Sequence, residues 1–324
     1  MNEPPISDDE LPDAEQPDAM VYALAAAPGF RAARAGQAIA GLARGLKRTE
    51  DGGQCWREAL ADLELPQPGP VTAVAVSPDF DHDRLVVAGV PGGVLRSTDG
   101  GQHWKTVNFP PPFLTISALV ISPSFGQDGT LLAGSIENGV FVSQDAGEHW
   151  VSWNFGLLDM NILCLAMSPN FANDETLLAG TESGLFRSTN GGRAWREVEL
   201  PFGFDVVTSL AFPLGHPDDS PLYIGTENHG MWVSPDAVEQ WRQVAENQVI
   251  DPVNTPLIAG NTLLTVTANT LWRSTDRGLT WASRSFEEVG EAVISAALAP
   301  EGLGAQKSLL VGFSDGEIRI MKWR

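Results

Sequence analysis

The sequence predicts an all-β fold: a seven-bladed β-propeller of four-stranded antiparallel blades, the last reduced to three strands. Three observations carry this. A short segment ending in Trp recurs six times, as RTEDGGQCW, RSTDGGQHW, VSQDAGEHW, RSTNGGRAW, VSPDAVEQW and RSTDRGLTW, with the Trp residues 40 to 48 positions apart. An apolar run closing in Ser-Pro or a looser version precedes these boxes, as in VTAVAVSP, ISALVISP and ILCLAMSP. A second apolar run containing Gly follows, as in LVVAGV, LLAGSI and LLAGTE. Four β-rich segments per period, separated by Gly, Pro, Asn and Asp, match the arithmetic of a propeller blade.

Along the chain, residues 1–19 hold seven acids and no Lys or Arg, and are read as a disordered tail. The propeller spans 20–324, with blades at about 20–64, 70–109, 114–155, 160–201, 205–246, 252–286 and 291–324. Strongly apolar first and second segments suit strands buried on both faces, and the alternating third segment suits a half-exposed outer strand. Phe141, Phe186, Trp232 and Trp272 recur at one position of that third segment and are expected in the core. The polar stretches DFDHDR and NFANDE read as turns.

The box chemistry is structural. The box acids Asp51, Asp99, Asp145, Asn190, Asp236 and Asp276 can accept from turn N–H groups that have no ladder partner. A Ser or Thr hydroxyl adds a local bond, and Gly supplies a positive φ. Trp56, Trp104, Trp150, Trp195, Trp241 and Trp281 are expected to pack between blades. Blade five has Val238 where the others have Gly, so its turn is expected to change. Arg48, Arg96, Arg187 and Arg273 precede the box and read as inter-blade or solvent-facing charges.

These boxes resemble the Asp-box, or BNR, repeat of sialidases, other glycoside hydrolases and photosystem II assembly factors. The matching residues are Ser97, Asp99, Gly101 and Trp104 in blade two and their equivalents in the other five boxes. The resemblance implies a propeller and leaves function open. Sialidase activity is not expected, because the chain lacks the arginine motif and the Tyr–Glu pair such chemistry requires; its two tyrosines are Tyr22 and Tyr223.

Composition narrows the partners. With 41 acidic against 20 basic residues, net charge −21, nucleic acid is not expected as a partner and anionic membrane surfaces are disfavoured. The apolar run Met20–Phe30 is too short to span a bilayer, and no secretory signal is legible, so a cytoplasmic location is expected. Cys55 and Cys164 read as two small buried hydrophobes without a disulfide framework. No His or Cys pair has ligand spacing, so neither metal nor cofactor is expected.

With the box turns at the bottom, the turns between strands two and three and the connections into the next blade lie on top. The top turns offer Glu137, Asn138, Glu182, Glu227, Asn228 and His229. The connections add Phe109, Phe113, Phe155, Asp159, Phe202, Phe204 and Asp205. Aromatics interleaved with carboxylates suit a groove for a peptide or a carbohydrate. The sequence therefore predicts a monomeric, non-catalytic scaffold for protein–protein contact or complex assembly. The alternative is a glycoside hydrolase using top-face carboxylates.

Overall fold

The computed structural model describes residues 20–63, 68–109, 114–213, 221–236, 238–244, 249, 252–253, 255–259, 261–267, 269–286, 292–298 and 307–323. Residues 1–19 and Phe113 lie outside them. Among the described residues the strands form seven antiparallel sheets, each in simple sequential order. Blade one holds β1 (Val21–Ala26), β2 (Ala38–Leu42), β3 (Leu46–Thr49) and β4 (Arg57–Glu58). Blade two holds β5 (Ala73–Val76), β6 (Val86–Val90), β7 (Gly93–Ser97) and β8 (Lys105–Asn108). Blade three has β9 (Thr115–Ile121), β10 (Leu131–Ile136), β11 (Gly139–Ser143) and β12 (Val151–Ser152). Blade four has β13 (Ile162–Met167), β14 (Leu177–Thr181), β15 (Leu185–Ser188) and β16 (Arg196–Val198). Blade five has β17 (Val207–Ala211), β18 (Leu222–Thr226), β19 (Met231–Ser234) and β20 (Arg242–Val244). Blade six has β21 (Thr255–Ala259), β22 (Thr262–Val266), β23 (Thr270–Ser274) and β24 (Ala282–Ser285). Blade seven stops at three strands, β25 (Val293–Leu298), β26 (Lys307–Phe313) and β27 (Ile318–Trp323).

The first strand of each blade packs beside the first strand of the next, and β25 packs beside β1, so the blades form a closed ring. Side chains near the start of these strands stitch the ring. Thr72 donates to the Ile116 carbonyl, Ser117 to Ile162, Cys164 to Val207 at 3.4 Å and Thr208 to Val253 at 2.8 Å. Ser295 donates to Val21 at 2.8 Å and joins the last blade to the first.

Exposure corrects several expectations. Every residue of β11 is buried and β15 is nearly so, while β4, β12 and β24 are fully exposed. The half-exposed outer strand is therefore the fourth, because the third is covered by its neighbours on both edges. First strands are mixed, as in β9, because their inner edge faces the centre of the ring. Phe141 and Phe186 are core, whereas Trp232 and Trp272 are half-buried. Cys55 is exposed beside its box turn, against the reading of a buried hydrophobe, and Cys164 is half-buried.

The Ser-Pro turns are more ordered than their polarity suggested. Ser77 donates to Asp83 at 2.6 Å, and the Asp83 carboxylate accepts the Leu85 N–H at 2.8 Å. Between them lies a single helical turn, Phe80–Asp83, with Phe80 buried. Blades three and four repeat it through Ser122–Asp128 and Ser168–Asp174, each at 2.6 Å, with Phe125 and Phe171 buried.

The boxes are built as their chemistry dictates. Ser97 donates to Asp99 at 2.8 Å, while the Ser97 hydroxyl accepts the Gly101 N–H at 2.8 Å. The Asp99 carboxylate accepts the Gln102 and His103 N–H groups at 2.9 and 3.0 Å. Asp51, Asp145, Asn190 and Asp276 repeat the pattern. Val238 keeps two of the box bonds: its N–H reaches Ser234 at 2.8 Å, and Asp236 accepts from Gln240 at 2.8 Å. The cost instead falls on the backbone, since Val238 holds φ at 78° where Gly101 holds 80°. Arg96 crosses a blade boundary to the Ala146 carbonyl at 2.7 Å, which bears out its inter-blade role.

These bonds hold the Asp51, Asp99, Asp145 and Asp276 carboxylates acidic. For Asp145 burial is the largest single influence and works against ionisation, but bonds from His149 and Ser143 outweigh it and bring the carboxyl to about 2. Hydrogen bonds from the Thr280 hydroxyl and N–H lead the lowering of Asp276, also to about 2. A carboxyl depressed in the folded state contributes stability that is complete above its ordinary value of 3.8 and lost as pH falls toward 2. Acid unfolding followed by tryptophan fluorescence is therefore expected to set in below that value. Asp145→Asn combined with Asp276→Asn should flatten the descent; an unchanged descent would remove these groups from the account.

Candidate functional site on the top face

The top connections and turns are tied together by acids acting as acceptors. Asp159, on the connection into blade four, accepts the Asn161 N–H at 2.9 Å and the Ser183 N–H at 2.8 Å. Burial raises the Asp159 carboxyl most, but bonds from Asn161, Ser183 and Thr181 outweigh it and keep it below the ordinary range. Asn161 then reaches both ways. Its carbonyl accepts the Glu137 N–H at 2.9 Å, and its amide donates to the Glu182 carboxylate at 3.1 Å. Asn161 thus couples two of the predicted turn acids, a role that its sequence position beside Asp159 did not announce.

Asp205 performs the same task in blade five more completely. It is 2% exposed and accepts from the Val206, Asn228 and His229 N–H groups at 2.8, 3.1 and 3.1 Å. The Asn228 amide donates to it at 2.8 Å, and the His229 ring nitrogen Nδ1 lies 2.7 Å away. Burial opposes its ionisation most strongly, but bonds from His229 and Asn228 prevail and hold it low. The His229 ring stacks on Phe202 at 4.6 Å, and Phe202 packs against Trp232 at 4.9 Å.

Several predicted binding residues therefore belong to the framework. Asp205 is buried, and Asn228 is spent on it. Phe202 tucks against His229. Phe109 is 3% exposed, with its ring 5.0 Å from both Phe141 and Trp150, so it is core and not a loop aromatic. The Asn138 amide bonds the Ile136 carbonyl at 3.1 Å within its own turn.

What remains open is concentrated over blades four and five. Phe204 is 74% exposed and borders a depression of about 690 Å³ that Asp159, Glu182, Ser183, Val206, Glu227 and Pro252 also line. Leu163 and Thr208 of the first strands form part of its lining. On the preceding connection Leu158 is 78% exposed and Met160 is partly exposed. In NFGLLDMN the candidates Phe155 and Asp159 are thus joined by Leu158 and Met160, which the sequence signals only as two apolar residues flanking Asp159. Phe155 is exposed, but its carbonyl accepts the Trp195 N–H at 2.8 Å, so its backbone serves the seam with blade four. Among the described residues no three His, Cys, Asp or Glu side chains converge as metal ligands, and no helix is long and apolar enough to cross a membrane. A larger groove of about 810 Å³ lies elsewhere, on the seam between blades four and five.

No family model and no curated protein matches the chain. Solved structures do. An ancestral GH74 enzyme superposes with a TM-score of 0.68 at 17% identity, covering 93% of this chain and 44% of the enzyme, so this chain spans less than half of that protein. YCF48 bound to D1 peptide gives 0.63 at 17% identity, covering 92% of each chain. The computationally designed Ika8 protein gives 0.60 at 16% identity, covering 93% of this chain and 82% of that one. An enzyme, a peptide-bound protein and a design share the architecture, so at these identities the likeness establishes the fold: this chain is a seven-bladed β-propeller.

Proposed function

We propose that the protein is a binding propeller that takes a segment of a partner protein across the top face of blades four and five. One observation carries this. Phe204 stands exposed on the rim of an open depression that Glu182 and Glu227 also line, and Leu158 is exposed on the connection that carries Asp159 of the same lining. Apolar side chains held out in water next to acids suit a segment that presents an aliphatic residue together with Lys or Arg. The framework below is rigid, because Asp159 and Asp205 fix the connections to the turns. The peptide-bound YCF48 structure supports the reading at the level of fold.

The glycoside-hydrolase alternative has less support. That chemistry needs one carboxyl raised enough to act as an acid. Asp159 and Asp205 are both lowered and consumed by hydrogen bonds. Turnover of a glycan panel that disappears in Glu182→Gln would reinstate the enzyme.

The binding reading is tested with the double variant Phe204→Ser, Glu182→Lys. Both side chains face solvent, so folding stability should change by no more than about 0.5 kcal/mol per substitution. Proteins captured by the wild-type chain and identified should lose affinity for the purified double variant by at least about tenfold, or about 1.4 kcal/mol. Unchanged affinity at unchanged stability would defeat the proposal.

A further inference from the structure

At three seams the chain itself fills the space between one blade and the box of the next. Between blades one and two, Leu60 is buried, the short turn Ala61–Leu63 follows, and Asp62 accepts the Trp104 N–H at 3.4 Å. Between two and three, the Phe109 ring lies 5.0 Å from that of Trp150. Between three and four, a whole segment crosses. The Trp153 carbonyl accepts the Trp195 indole N–H at 2.8 Å, the Phe155 carbonyl accepts its backbone N–H at 2.8 Å, and Leu157 is buried in the same cluster. The recurring element is an apolar side chain at the box tryptophan, joined at the first and third of these seams by an acceptor, while the Trp150 indole N–H bonds Gly147 of its own turn.

At the seam between blades four and five only Leu200 plays this part: it is buried in the cluster that Val238 and Trp241 pack against, and among the described residues no carbonyl of the connection is bonded to Trp241. The connection leaving β16 folds back on itself, with the Gly203 N–H on the Leu200 carbonyl at 3.0 Å, and sends Phe202 up to His229. It leaves a groove of about 810 Å³ between β16 and the blade-five box, lined among others by Ala194, Pro201, Val238 and Trp241. Among the described residues the buried indole N–H of Trp241 has no acceptor, as is also the case for Trp104, whose backbone N–H is nevertheless met by Asp62. As the outermost strand of its sheet, β16 also presents an edge without a ladder neighbour.

We infer that this groove is a second binding site, which takes an extended segment of a partner protein carrying an apolar residue flanked by Lys or Arg. The segment supplies from outside what residues 153–157 supply at the preceding seam, and pairs its main chain with the edge of β16. Glu197, Glu199 and Glu239 outnumber Arg187 and Arg196 on the lining, and the chain carries a net charge of −21, so a basic flank is favoured. This site is separate from the top face and stands without it.

The probe is a synthetic peptide with the sequence of residues 152–157, Ser-Trp-Asn-Phe-Gly-Leu, followed by two lysines. Titrated into the full chain by calorimetry, it should bind saturably. Hydrogen exchange should slow at Arg196–Val198. Ala194→Trp, which places an indole in the groove, should weaken binding by at least about tenfold, while Phe204→Ser leaves it unchanged. Replacing the peptide's leucine, the counterpart of buried Leu157, with glycine should weaken binding to the wild-type chain similarly, which keeps the test decisive should the Ala194 variant fold poorly. The site is overturned by any of three results: no saturation at about 1 mM peptide, affinity indifferent to both changes, or protection confined to the top connections.

Discussion

Gly180→Val is expected to destabilise the protein by about 3 kcal/mol, at the upper end of what overpacking a filled interior costs. A Cβ at this position would stand 2.4 Å from the Cys164 sulfur and 2.7 Å from the Val207 carbonyl, and that carbonyl is backbone and has little room to yield. The glycine is one of a set. Gly41 faces the Val71 carbonyl at 2.4 Å, Gly134 faces Ile162 at 2.5 Å, and Gly312 faces Val21 at 2.6 Å across the closure of the ring. Each lets the second strand of one blade approach the first strand of the next, so the recurrent Gly of the second apolar run sets the angular step between blades. Blade six supplies the control. Val266 occupies the equivalent register, opposite Leu271 as Gly180 is opposite Leu185, and packs with Val293 at 2% exposure. There the reverse change, Val266→Gly, should itself cost about 2–4 kcal/mol through lost burial and a cavity. Thermal unfolding of both variants checks the pair. A Gly180→Val protein as stable as wild type would show that the glycines do not set the spacing.

The features legible in the sequence were those that repeat. The six boxes share residue types at one register, so the Ser97–Asp99 turn and its inter-blade tryptophan could be read directly. The same repetition held a message that polarity concealed. Ser-Pro-x-Phe-x-x-Asp occurs at Ser77, Ser122 and Ser168, yet its acids and amides suggested only a turn. The Phe is buried and the Asp is bonded back to the Ser. The site was less legible because its members are brought together by three-dimensional neighbours. Phe109 and Phe204 occupy the same class of connection, but Phe109 meets Phe141 and Trp150, whereas Phe204 meets solvent. Asp205 and His229 are 24 residues apart, and no local pattern announces that the turn will place His229 on that carboxylate.

Trp195→Ala should be the costliest single box substitution, at about 3–5 kcal/mol, the range for removing a buried aromatic side chain. Trp195 is 2% exposed and packs with Leu132, Val140 and Leu157 of blade three and its connection. Its indole N–H is bonded to the Trp153 carbonyl, so truncation empties the seam and leaves a partly buried acceptor unpaired. Trp195→Phe separates the two contributions: it keeps most of the packing and should cost about 1–2 kcal/mol for the bond and the lost ring area. Trp281 provides the contrast. It is only half-buried, and its indole N–H returns to Gly278 of its own turn at 3.1 Å, so the hydrogen bond stays within one blade. Trp281→Ala should therefore cost less than half as much as Trp195→Ala. If the two alanine variants lose equal stability in denaturant unfolding, the inter-blade bond at Trp195 contributes nothing, and the tryptophans act by packing within their own hairpins alone. The expected inequality would instead place the strength of the ring at its seams, where the box of one blade grips the segment that leaves the blade before it.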